Sequence, residues 1–326
     1  MNLLKYTVNH EVIKLNADID DITANISKNI LYLDKLPTVA KRLVLANNNL
    51  AIKFIEYNID KNNILKPECK DSEIFLINQY LNKKFNHPYF LPYIGLTKII
   101  NFNQEIVKDS SDSSSDSSES TPENLSNTVN NINKTIRNEY ITLVRPMNIG
   151  IIMAQCTPLE IYLFENEELD YIYVLTNIYN ILDLAILIRD KYDMIHCDVK
   201  IDNVVVNNNK FYLIDWENTF ESDEKYYHDD RPKEGNSEMF PHYDADSEQF
   251  FVYSIGVLIT RIIGFHYGVT YADFTENMLL NYILSKIPNH ILRHYDDLLI
   301  NIFVKKISKI EVLKDKIDRI IHVKNG

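Results

Sequence analysis

His196-Cys197-Asp198-Val199-Lys200-Ile201-Asp202-Asn203 is the most informative segment of this 326-residue chain, together with the Val204-Val205-Val206 and Phe211-Tyr212-Leu213-Ile214-Asp215-Trp216-Glu217 that follow it. Two apolar runs separated by Asn207-Asn208-Asn209 predict a β-hairpin over 204–215. Before the hairpin, four polar residues keep the spacing H-x-D-x-K-x-x-N, and an aspartate closes it twelve residues past the asparagine. At about 5% usage per residue type, those four letters would arise by chance in a chain this long on the order of once in a thousand. A solvated turn accounts for Asp and Asn. It does not account for an aspartate ending an apolar strand beside a tryptophan.

This pattern resembles the catalytic loop and metal-binding aspartate of the protein-kinase superfamily. The resemblance implies phosphoryl transfer from ATP with Mg2+ or Mn2+, chemistry that needs positioning and charge compensation more than covalent help. It makes Asp198 the group that orients an acceptor hydroxyl and takes its proton. Lys200 would reach the γ-phosphate, and Asn203 and Asp215 would be hard oxygen ligands for the metal. His196 is expected to brace the loop. Upstream, Leu50-Ala51-Ile52-Lys53-Phe54 looks like the family's V-A-I-K strand, making Lys53 the α/β-phosphate ligand and Glu73 its ion-pair partner on the next helix. Ile151-Ile152-Met153-Ala154-Gln155-Cys156 resembles the strand and hinge that hold adenine, with Met153 facing the base and Ala154, Gln155 and Cys156 as backbone partners. Tyr253-Ser254-Ile255-Gly256-Val257-Leu258 looks like the central helix of the helical lobe. The resemblance covers about residues 40–265.

Five departures mark the chain. No glycine precedes Gly95, so a Gly-rich loop before Lys53 is absent in standard form. Cys197 stands where many kinases carry an arginine, and Asp-Trp-Glu replaces Asp-Phe-Gly. No A-P-E triplet follows; Met239-Phe240-Pro241-His242 is the nearest stretch, and Phe251 occupies a position usually held by Asp. Ile-Asp-Trp-Glu pulls toward the aminoglycoside and choline phosphotransferases, whereas Lys200 pulls toward Ser/Thr protein kinases. The leading expectation is transfer to a Ser or Thr hydroxyl of a protein. A small-molecule kinase and a non-catalytic pseudokinase are the alternatives.

Composition bounds the rest. With 34 basic and 46 acidic residues the net charge is −12, which disfavours nucleic acid and anionic membrane as partners. Glycine numbers 7, where average usage would give roughly 23. Cys69, Cys156 and Cys197 lack the number and spacing of a disulfide framework or zinc site, which suggests a reducing, cytoplasmic setting. The N-terminus has no apolar leader. The longest apolar stretch, Phe250–Phe265, is interrupted by Arg261 and falls short of the roughly 20 residues a membrane span needs, so none is expected.

Periodicity predicts a hairpin over 43–57 and an amphipathic helix over 71–85 with Ile74, Ile77, Leu81 and Phe85 on one face. It also predicts strands at 140–144 and 149–154, a long helix over 169–192, and helices from 246 onward. Residues 103–138, with the run Asp109–Ser120 of Asp, Ser and Glu, are too polar to order and read as a disordered insertion. The expected fold is α+β and two-lobed like the protein kinases. A sheet-rich lobe would span 1–155, interrupted by the insertion, and a helical lobe 156–326.

Overall fold

Strands dominate first and helices later, and the computed structural model describes residues 3–15, 30–33, 43–46, 50–55, 72–107, 149–166, 170–226, 245–266 and 297–323. Their architecture is α+β, with antiparallel sheets and helices. The chain divides into two units: Met1–Cys69 with Phe75–Phe85 and Pro92–Gln155, and Lys70–Ile74 with Asn86–Leu91 and Cys156–Gly326.

In the first unit, six antiparallel strands close a barrel. They are β1 (Leu3–Leu15), β2 (Ile30–Leu33), β3 (Leu43–Ala46), β4 (Leu50–Ile55), β5 (Tyr93–Val107) and β6 (Ile149–Ala154), in the order β1-β2-β3-β4-β6-β5. The alternation at Leu50-Ala51-Ile52-Lys53 sets the faces of β4. Ile52 lies opposite Ile152, both fully buried. On the other face Ala51 lies opposite Met153 and Lys53 opposite Ile151; cross-strand partners share a face, so Lys53 and Met153 are diagonal neighbours. β1 pairs with β5 from Leu3 opposite Val107 to Leu15 opposite Gly95, with register shifts at Asn9/His10 and Val12/Lys14. Such irregularities add local twist, which helps a sheet curl onto itself.

The strand β5 runs to Val107, so residues 103–107, expected in the disordered insertion, instead pair with β1. Backbone pairing there satisfies the peptide groups whatever the side chains contribute. The rest of the insertion and the strand expected at 140–144 lie outside the described residues.

Helix α1 (Ser72–Leu81) buries Ile74, Leu76, Ile77 and Leu81 and carries Glu73 in its first turn. Phe85, just beyond it, is buried too.

The second unit is built on helices α2 (Leu159–Glu165), α3 (Tyr171–Tyr192), α4 (Ser247–His266), a helical segment over 297–303, and α5 (Ile310–Val323). Asp170 starts α3 by accepting from the Ile172 and Tyr173 amides at 2.9 and 3.3 Å, as an N-cap aspartate does. Asp193 ends it in a left-handed conformation (φ 55°), its amide bonded to the Arg189 carbonyl. Arg189 then ties three helices: its guanidinium pairs with Glu248 of α4 at 2.7 Å and with Glu311 of α5. Glu248 also accepts from Lys309 Nζ at 2.6 Å and from the Ile310 amide at 3.0 Å. A buried carboxylate is tolerated when its oxygens are satisfied in this way.

By length and composition alone, Tyr171–Tyr192 and Ser247–Phe265 are apolar enough to cross a membrane; half of the first and most of the second is buried within the fold.

β9 (Val204–Asn207) and β10 (Lys210–Leu213) form the hairpin, with β7 (Thr157–Pro158) beside β9. Asn208 and Asn209 both have positive φ, 48° and 58°, the requirement of a two-residue type I′ turn, which asparagine meets at low strain. The buried amide of Asn177 on α3 anchors the sheet by accepting from the Phe211 amide at 2.8 Å.

Gly256 lies where α4 meets the 297–303 segment. A Cβ there would stand 2.7 Å from Ile302 Cγ2 and 3.0 Å from Phe303 Cζ, and Phe303 is edge-on to Tyr253 at 5.4 Å. Gly256→Ala raises helix propensity but overpacks this contact. It should destabilise by about 1–3 kcal/mol. Thermal unfolding checks this, and the loss should shrink in the double variant with Ile302→Ala, as coupled neighbours require.

Candidate functional site

The hairpin register explains the twelve-residue spacing. Two four-residue strands and a two-residue turn return the chain to its start, where the Ile214 amide donates to the Asn203 carbonyl at 2.9 Å. Asn203 and Asp215 therefore emerge at the same open end of one hairpin. Just before it, β8 (Ile195–His196) pairs with β11 (Thr219–Phe220), and the Cys197 amide donates to the Asn218 carbonyl at 2.8 Å. The loop carrying Asp198 and the turn carrying Asp215 are thus joined on both sides.

Asp198 is held by its neighbours. Lys200 Nζ donates to both carboxylate oxygens, at 2.9 and 2.8 Å. Asn203 Nδ2 donates to Asp198 Oδ2 and to the Asp198 carbonyl, both at 2.9 Å. Asn218 Nδ2 lies 3.5 Å from Oδ2, the outer limit of such a contact. Because Asn203 spends its amide nitrogen on Asp198, its carboxamide oxygen is the atom suited to a cation.

His196, 1% exposed, accepts from the Asp198 amide at Nδ1 (3.1 Å), so that nitrogen carries no proton; Nε2 donates to the Ile214 carbonyl at 3.0 Å. Burial drives its pKa down to about 4, so the ring is neutral near pH 7 and braces both segments. It lies edge-on to Trp216 at 4.7 Å. The Trp216 indole donates to the Leu213 carbonyl at 3.0 Å, and Phe90 packs at 6.2 Å.

Asp215 has φ 65°, a left-handed conformation that few residues other than glycine adopt and that Asp accepts better than most. Carboxylate oxygens of Glu73, Asp215 and Glu217 all lie within 4.8 Å of one another, and Glu73 is 2% exposed. These oxygens and Asn203 Oδ1 are the donor chemistry of a hard divalent cation. Ser72, the residue before Glu73, donates its hydroxyl to the Trp216 and Glu217 carbonyls at 2.7 and 3.2 Å.

Cysteine chemistry is disfavoured here, since burial pushes the Cys197 thiol up and only the thiolate is nucleophilic. The Cys156 thiol is also raised by burial, partly offset by the Asn207 amide 3.7 Å away. Both cysteines are free.

Of the residues singled out by sequence, Asp198, Lys200, Asn203, Asp215 and Glu73 belong to the second unit, with the first three in direct hydrogen-bond contact. Lys53, half-buried, and Met153, buried, share a face of the barrel in the first unit. Gln155, exposed, ends that unit's chain segment, and Cys156, half-buried, begins the second. Ser72, Glu217 and Asn218 are additions that the sequence reading missed. Ser72 is the first residue of α1, and nothing local announces that its hydroxyl bonds a distant stretch of backbone.

No family model matches the chain, and no curated protein is similar to it.

The neutral imidazole gives a pH test. The folded pKa of about 4 lies below the unfolded value of about 6.5, so the unfolded chain binds the proton first as pH falls. Stability is then full above about pH 6.5 and declines toward pH 4 by up to roughly 3 kcal/mol. Urea midpoints at about pH 7.5 and pH 5 should differ more in wild type than in His196→Asn; equal losses would refute the role.

Proposed function

We propose that this chain is an ATP-dependent phosphotransferase with a two-lobed, protein-kinase-like fold, most simply a divergent Ser/Thr protein kinase. The observation that carries the reading is the Asp198 carboxylate, fixed by Lys200 and Asn203 at the hairpin end from which Asp215 also emerges. A carboxylate held in one orientation suits a group that aligns an acceptor hydroxyl and takes its proton. Lys200 holds that carboxylate, and its ammonium also suits contact with the γ-phosphate.

Asn203 and Asp215 would hold Mg2+ or Mn2+, with Glu73 and Glu217 as neighbouring carboxylates. Such a metal would supply positive charge to offset that of the phosphates. For ATP itself, the sequence resemblance assigns Lys53 to the α/β-phosphates with Glu73 as partner, and Met153, Gln155 and Cys156 to adenine. The protein acceptor rests on Lys200.

A second reading, a small-molecule kinase of the aminoglycoside or choline type, is favoured by Trp216, which is fully packed in the Asp-Trp-Glu turn. The two readings share the reaction and differ in the acceptor. A pseudokinase binding module would keep nucleotide without transfer.

One experiment separates them: purified protein with labelled ATP and magnesium or manganese, offered casein, a basic protein, an aminoglycoside and choline in parallel. The expected result is label on protein hydroxyls. Label only on a small molecule would select the second reading, and a nucleotide-induced thermal shift without transfer would select the pseudokinase. Asp198→Asn should lower kcat by about 100-fold or more with little change in unfolding, and undiminished transfer in that variant would overturn the assignment.

A further inference from the structure

Ser72 is 6% exposed, and its hydroxyl donates to two consecutive carbonyls, Trp216 at 2.7 Å and Glu217 at 3.2 Å, across 144 residues of sequence. Ser72 is the first residue of α1, one position inside the place from which a serine caps the helix amides. Here the hydroxyl proton is spent on a different segment.

The target of that bond is informative. The two carbonyls follow Asp215, whose left-handed φ of 65° Asp tolerates but does not prefer, so neighbouring contacts help to hold it. The Trp216 side chain is fixed separately, by its bond to Leu213 and by the rings of His196 and Phe90. Ser72 acts on the backbone itself, immediately downstream of Asp215. Its neighbour Glu73 is thereby carried to the same turn, with its carboxylate within 4.8 Å of those of Asp215 and Glu217.

We propose that Ser72 is a positioning residue for the metal-binding turn: its hydroxyl pins the 216–217 backbone so that Asp215 keeps the conformation that presents its carboxylate. The proposal rests on the phosphotransfer reading. Ser72 touches neither nucleotide nor acceptor in this scheme. Its loss should weaken metal use while leaving the chemistry of Asp198 intact.

Trp216 is the chain's single tryptophan, so emission excited at the red edge, where only indole absorbs, reports this turn alone. The experiment uses the full chain as wild type, Ser72→Ala and Ser72→Thr, the last retaining a hydroxyl. Two quantities are read: the Mg2+ concentration that half-saturates transfer from ATP, and the collisional quenching of Trp216 by acrylamide at a temperature where all three give the same circular dichroism.

Losing the bond should raise half-saturating Mg2+ by about five-fold in Ser72→Ala with kcat at saturating metal within about two-fold, and Ser72→Thr should stay within about two-fold of wild type throughout. Quenching should rise about two-fold in Ser72→Ala and not in Ser72→Thr, as expected of a released backbone. A merely structural defect would depress kcat without moving the metal dependence. Unchanged metal dependence and quenching in Ser72→Ala, or a Ser72→Thr as impaired as Ser72→Ala, would overturn the proposal. A wild type that transfers to no acceptor while the quenching difference persists counts against the phosphotransfer reading alone.

Discussion

A neutral, buried imidazole organises the site. His196 receives the Asp198 amide on one nitrogen and gives its remaining proton to the Ile214 carbonyl from the other. Protonation would put a donor on both nitrogens and turn the first of these contacts into a clash of two donors. Burial prevents this by making the charged ring unfavourable. Two chain segments that the hairpin already brings close are thereby locked in one register. The edge-on packing of Trp216 then fills the space beside the ring, and the neighbouring polar groups are positioned on this clamp.

Much of that arrangement was legible in sequence because it is local. The Val-Val-Val and Phe-Tyr-Leu runs declare two strands, the asparagines declare their turn, and the spacing of Asn203 from Asp215 follows from strand length. Likewise the faces of α1 and α4 follow from where their apolar residues fall, and α4 is buried nearly all round. The contacts that stayed hidden are distant ones. Nothing near Ser72 encodes a bond to residue 216, and nothing near residues 103–107 encodes pairing with β1. Such contacts are set by tertiary packing, which leaves no periodic trace in either partner.

Glycine scarcity takes on a physical meaning in this setting. Left-handed backbone positions at Asp193, Asn208, Asn209 and Asp215 are filled by Asp and Asn, whose short polar side chains tolerate that region. One of the few glycines, Gly256, serves contact distance instead, because a methyl group there would overlap Ile302. The chain thus uses glycine for close approach and accepts asparagine or aspartate where only the torsion angle is demanding.

The closed barrel has its own consequence for the acidic serine-rich stretch. β5 and β6 are antiparallel neighbours, paired from Tyr93 opposite Met153 to Lys98 opposite Ile149, and residues 108–148 join them. That stretch therefore lies between two strands that pair with each other. β1 in turn pairs with β2 on one side and β5 on the other, so its thirteen residues are the seam that closes the barrel.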